Sequence, residues 1–214
     1  MAQDLMTPRF HPPADTTGFG GLIFDCDGTL VDSMPVHFVA WRTALSAAGA
    51  HFDFSWDEFL SRAGMSLERT TEELETTYGC TLDRALLTSV KAQTYEALEH
   101  LITPIDEVIA FAHAWRGKVP MAVATGSRRS VVERILQRME LLHLFETVVT
   151  PADVTHGKPD PDMFLLAAAR LGVAPEQCLV LEDGASGFEA ARRAGMRIAV
   201  VQPGVPLPSN FEHP

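Results

Sequence analysis

This 214-residue chain has only three cysteines, Cys26, Cys80 and Cys178, an odd number with no CxxC spacing. That argues against a disulfide framework and a thiolate zinc site, and fits a reduced, cytoplasmic compartment. The sequence also has no apolar run approaching the ~20 residues of a bilayer span. Its leader, MAQDLMTPRFHPPADTTG, contains no hydrophobic stretch of the kind that marks a secretory signal. Positive charge is scarce: 17 Lys and Arg stand against 28 Asp and Glu, the formal net charge is −11, and the basic residues form no long cluster. Neither a nucleic-acid backbone nor an anionic membrane fits such a chain as partner, and a soluble protein is expected. Internal repeats and low-complexity tracts are missing too.

What is present reads as a globular fold, since 46% of residues are hydrophobic and 21% charged. Four short apolar runs, GLIF (21–24), MAVA (121–124), CLVL (178–181) and RIAVV (197–201), lack period-two alternation, as strands buried on both faces do; ETVVT (146–150) is a fifth. Helical patterns separate them over 105–115, 129–139, 161–171 and 187–194. The alternation predicts an α/β fold with a Rossmann-like, doubly wound parallel sheet. From about residue 35 to 103 only helical patterns occur, over 35–48, 56–62, 67–78 and 82–101, which predicts an inserted α-helical domain. The expected organisation is a loose tail over 1–19, a core domain of 20–34 and 104–202, the insertion, and an irregular proline-rich tail over 203–214.

Ligands of open parallel sheets bind beyond the carboxyl ends of the strands, and the unusual polar clusters fall there. Asp25 and Asp27 follow the first run, Thr125, Gly126 and Ser127 the second, Glu182 and Asp183 follow CLVL, and Lys158 lies in HGKPDP. Carboxylates gathered at one edge repel; at ~4 Å and an effective dielectric of 20 each pair costs about 4 kcal/mol. A cation is therefore expected among them, and oxygen ligands without His or Cys favour Mg²⁺. Lys158, Thr125 and the amides of the glycine turns suit a phosphoryl group, Asp25 is placed to attack phosphorus, and Asp27 to move protons. Cys26 alternates away from both acids and reads as packing.

Through DCDGTLVD, ATGS, GKPDP and LEDGASGFEAARRAG the chain resembles the haloacid dehalogenase superfamily over nearly all of residues 20–201. The resemblance implies Asp25 as nucleophile, Asp27 as acid and base, and Thr125 and Lys158 as phosphate ligands. It places Asp183 and Glu182 in or beside a magnesium shell to which Asp27 adds its backbone carbonyl. The insertion looks like the cap of the β-phosphoglucomutase-like branch, with His37 and Trp41 on one face of its first helix; His37 is read as a substrate contact and Trp41 as cap core. The chain looks most like bacterial phosphatases of that branch that act on fructose 1-phosphate and 6-phosphogluconate. Hinges are expected near 33–35 and 101–104. In GMSLER, Leu67 stands where the mutase pattern has an arginine for a second phosphate, and Gly184 where many relatives have serine.

The reading is a Mg²⁺-dependent phosphatase of a small phosphorylated metabolite, a hexose phosphate or phosphorylated sugar acid, acting through an aspartyl phosphate, as a monomer. Its rivals are a sugar-phosphate mutase and, from another class, a non-catalytic regulatory binding protein. A metal-free dehalogenase would leave Asp27, Glu182 and Asp183 without purpose.

Overall fold

The computed structural model describes residues 9–10 and 18–202. In chain order it contains β1 (Arg9–Phe10), β2 (Gly21–Phe24), β3 (Val31–Asp32), α1 (Met34–Ala47), α2 (Trp56–Ser61), α3 (Leu67–Tyr78) and α4 (Arg84–Leu98). There follow β4 (Thr103–Pro104), α5 (Asp106–Trp115), β5 (Met121–Ala124), α6 (Arg129–Arg138), β6 (Thr147–Val149), α7 (Asp162–Leu171), β7 (Cys178–Glu182), α8 (Ala185–Arg193) and β8 (Arg197–Gln202).

Strand order is β1-β8-β7-β2-β5-β6, with β8 to β6 parallel. The central strands lack alternation because both faces are covered. Leu22, Phe24, Val123, Leu179 and Leu181 enter one apolar layer, whereas Ile23, Ala122, Ala124, Cys178 and Val180 enter the other. Cys26 is fully buried in the first layer, and its carbonyl accepts the turn amides of Thr29, Leu30 and Val31. The sheet register makes β7, β2 and β5 neighbours, so Glu182, Asp25 and Thr125 emerge side by side at their carboxyl ends.

The helices α1 to α4 leave and rejoin the sheet through β3 and β4, which pair antiparallel, Val31 with Pro104 and Asp32 with Thr103. They carry their own apolar cluster, including Trp41, Leu45, Phe54, Phe59, Leu74 and Leu87. Local chemistry fixes their ends: Ser55 forms a capping box with Glu58, Ser66 caps α3, and Asp83 caps α4. The returning segment is tied to the core. Glu99 is paired in a bidentate manner with Arg134 of α6, and the Arg138 guanidinium donates to the Ile102 carbonyl at 2.9 Å.

One expectation fails within the supposed N-terminal tail. Arg9 and Phe10 pair with Gln202 and Val201, and Phe10 is buried edge-to-face on Phe111, with ring centroids 5.3 Å apart. An aromatic side chain that fills the end of the apolar layer outweighs the local Pro and Thr content. Phe19, at the end of the same span, is buried against Trp115 with ring centroids 6.1 Å apart, whereas residues 1–8 and 11–17, and the expected tail over 203–214, lie outside the described residues. No helix among the described residues is long and apolar enough to cross a membrane.

Candidate active site

The tight turn after β2 exists because Gly28 accepts a left-handed backbone, φ +82°. Its missing side chain also makes room: a Cβ there would lie 2.2 Å from Asp183 Oδ2. The turn therefore brings the β2 acids and the β7 acids together. Thr29 Oγ1 donates to Asp183 Oδ1 at 2.9 Å.

Lys158 bridges the two strands from the other side. Its Nζ donates to Asp25 Oδ1 at 2.5 Å and to Glu182 Oε2 at 2.7 Å, and its side chain is 3% exposed. Burial alone would lower its pKa, but the charges of Asp25 and Glu182 more than reverse this and hold it raised, so the ammonium is permanent at neutral pH. Asp25 is pushed well above the usual carboxylate range by burial and by the Glu182 charge, with Lys158 opposing. Asp183 is pushed up likewise, by burial and then by Glu182 and Asp25. One lysine does not balance two buried acids and the half-buried Asp183.

A cation would. Ligand oxygens of Asp25, Glu182 and Asp183 all lie within 4.8 Å of one another. Lys158 and the amides of Asp183 and Gly184 occupy both Glu182 oxygens, so this residue orients the lysine and its own loop. Among the described residues, no hydrogen bond reaches Asp25 Oδ2 or Asp183 Oδ2. An all-oxygen donor set with excess negative charge fits Mg²⁺.

The Asp27 side chain is not in this cluster. Ser33 Oγ donates to its Oδ1 at 2.6 Å, His37 Nε2 lies 3.2 Å from the same oxygen, and Ser127 Oγ donates to Oδ2 at 2.5 Å. Burial would raise the Asp27 carboxyl, but the His37 charge and these three hydrogen bonds outweigh it and hold the group well below the usual range. Asp27 is therefore an acceptor as found. Thr125 is fully buried and accepts the Ser127 amide at 3.1 Å, which leaves its own proton for another acceptor; Gly126 is exposed at the strand end.

Several residues of this region carry no sequence signal of their own. Ser33 and Thr29 lie within the first motif, but their partners are set by the fold. Tyr95, on α4, stacks on His37 with centroids 4.5 Å apart, and its buried hydroxyl has no hydrogen-bond partner. Four residues earlier on the same helix face, Lys91 sits over the Trp41 ring at 5.1 Å. Burial lowers Lys91 to about 8, with the Arg128 charge adding to the effect and Asp27 opposing it. Neither Lys91 nor Arg128 has an ion-pair partner among the described residues. Trp41 itself belongs to the cap cluster.

Comparison with known proteins agrees with this fold. A family model described as haloacid dehalogenase-like hydrolase matches residues 19–195. The fructose-1-phosphate phosphatase of Escherichia coli (strain K12) is 38% identical, over 83% of this chain and 94% of that protein. The β-phosphoglucomutase of Bacillus subtilis (strain 168) is 32% identical, over 87% of this chain and 84% of its own. The crystal structure of a hydrolase from Pseudomonas syringae superposes with a TM-score of 0.73 at 29% identity, covering 84% of this chain and 83% of that one.

Proposed function

The chain belongs to the haloacid dehalogenase-like hydrolase family, and from that premise we propose that it is a Mg²⁺-dependent phosphatase of phosphorylated sugars or sugar acids. The observation that carries this reading is Lys158, buried between Asp25 at the tip of β2 and Glu182 at the tip of β7. A fixed ammonium beside a strand-tip carboxylate is suited to a phosphoryl group that the carboxylate attacks.

Asp25 would form a bond to phosphorus as the bond to the substrate oxygen breaks, giving an aspartyl phosphate. The leaving oxygen would displace the Ser127 hydroxyl from Asp27 Oδ2. In its protonated form Asp27 would give a proton from Oδ2 to the leaving oxygen, while Ser33 and His37 hold Oδ1. Asp27 then takes a proton from the water that attacks the aspartyl phosphate, releasing inorganic phosphate and regenerating Asp25. The Thr125 hydroxyl and Lys158 supply donors to the phosphoryl oxygens, and the Gly126 and Ser127 turn closes the same side. Asp25 and Asp183, with the Asp27 carbonyl, would hold Mg²⁺. When bound, the ion offsets the surplus negative charge and polarises the phosphoryl group.

Lys91 and Arg128 are near enough for the Arg128 charge to act on Lys91, and both lack carboxylate partners among the described residues. Two such cations favour a substrate with a second anionic group, the carboxylate of a phosphorylated sugar acid. The same pair favours a second reading, a mutase that holds a second phosphate, although Leu67 stands at the arginine position of the mutase pattern. The test is release of inorganic phosphate from sugar, sugar-acid, polyol and nucleotide phosphates, with Mg²⁺ and with excess chelator, beside Asp25→Asn. Release confined to magnesium and lost in the variant supports the phosphatase. Isomerised sugar phosphate without free phosphate replaces it with the mutase, and silence in both leaves a binding protein.

A further inference from the structure

The cap touches the core at its far edge as well as at its hinge. The turn between α2 and α3 lands on the first turn of α8, immediately after Glu182 and Asp183. There Ser186 Oγ donates to the Ala63 carbonyl at 3.2 Å, across 123 residues of chain. The next residue, Gly64, has φ +79°, and a Cβ on it would lie 2.1 Å from Ser186 Oγ. Gly184 faces the same turn, where a Cβ would be in ordinary contact, 3.6 Å from the Ala63 oxygen. The turn is stiffened from within the cap. Arg62, whose side chain is 14% exposed, donates to the Glu58 carbonyl at 2.9 Å and stands 3.9 Å from Glu73.

We propose that Ser186 is a positioning residue: together with Ala63 and Gly64 it forms the clasp that seats the closed cap on the loop carrying Glu182 and Asp183. Three features distinguish this contact from incidental packing. The hydroxyl meets a backbone carbonyl of the cap, so the bond forms only when the cap is down. The glycine opposite leaves no side chain to hold the two surfaces apart. The contact is also made by the turn between α2 and α3, separate in the chain from both segments that join the insertion to the sheet, so a rotation about those segments makes or breaks it. The clasp therefore sets how much of the substrate-bound enzyme is closed, while leaving the Asp25, Asp183 and Lys158 oxygens and nitrogen untouched.

This inference rests on the phosphatase reading for its kinetic consequence only. The test uses the full chain with Ser186→Ala, which removes the hydroxyl and preserves the helix, and Ser186→Leu, which adds bulk against Gly64. For Ser186→Ala the expected result is a KM raised about threefold to tenfold, with kcat within about twofold and the Mg²⁺ activation constant unchanged. Amide exchange of the peptide spanning residues 62–66, measured with inorganic phosphate and Mg²⁺ bound, should quicken by a similar factor. Ser186→Leu should hold the cap off and lower kcat/KM at least tenfold further. An unchanged KM and unchanged exchange in Ser186→Ala would overturn the clasp, as would an effect confined to the Mg²⁺ constant. If the wild-type chain releases no phosphate from any substrate, the phosphatase reading has failed, and the exchange comparison still decides the clasp.

Discussion

Lys158→Met isolates the charge that balances the buried acids. Methionine retains most of the stem, including the body that packs near Phe164, where the ammonium now lies 4.9 Å from the ring centre. What disappears is a cation at 2.5 and 2.7 Å from two carboxylates whose side chains are 8% and 5% exposed. Removing one partner of a buried pair costs about 3–5 kcal/mol, and for a chain of this length that corresponds to a fall in Tm of about 6–20 °C. The loss is bounded because a carboxyl can take up a proton instead of remaining charged. Asp25 and Asp183 already have raised values in the folded state. Between the ordinary carboxylate range and those raised values the folded chain binds more protons than the unfolded one, so stability declines as pH rises through that window. The variant raises these groups further. Its deficit should therefore be largest near about pH 8, small near about pH 5, and partly restored at pH 8 by excess Mg²⁺. Scanning calorimetry of chelator-treated protein at both pH values measures this directly. An equal deficit at both, or no deficit at the higher one, would refute the account of Lys158 as the counter-charge of the acid cluster.

Four further outcomes are expected. Gly28→Ala forces a left-handed residue to carry a Cβ 2.2 Å from Asp183 Oδ2, so Mg²⁺ activation should weaken at least tenfold in a metal titration, with about 1–3 kcal/mol of strain in thermal melts. Lys91 loses its charge above about pH 8, so KM for a phosphorylated sugar acid should climb beyond that point. Lys91→Met should raise the same KM about tenfold at neutral pH, or about 1.4 kcal/mol, while a phosphorylated polyol is little affected; equal effects on both would remove the second anion from the reading. Phe10→Ala should cost about 3–5 kcal/mol, seen as a lower denaturant midpoint at unchanged slope, because Phe10 is buried on Phe111.

Sequence by itself determined the β/α alternation, the helical insertion and the residues that follow each strand. These features are local: an apolar run buried on both faces, a helical period and an acid pair after a strand each state their structure within a few residues. Tertiary structure decided which strand ends are neighbours. Only the order β7-β2-β5 brings Glu182 beside Asp25 and Thr125, and only that adjacency allows Lys158, which lies on a separate loop, to bridge two of them. It also decided that Asp27 turns from the acid cluster toward Ser33, His37 and Ser127, that Tyr95 stacks on His37 and Lys91 sits over Trp41, and that Ser186 meets Ala63. β1 belongs with these, because Phe10 pairs with Val201 near the other end of the chain and is buried on Phe111 near its middle. Such contacts depend on how sheet, cap and loops pack together, and helix and strand periodicity holds no record of that.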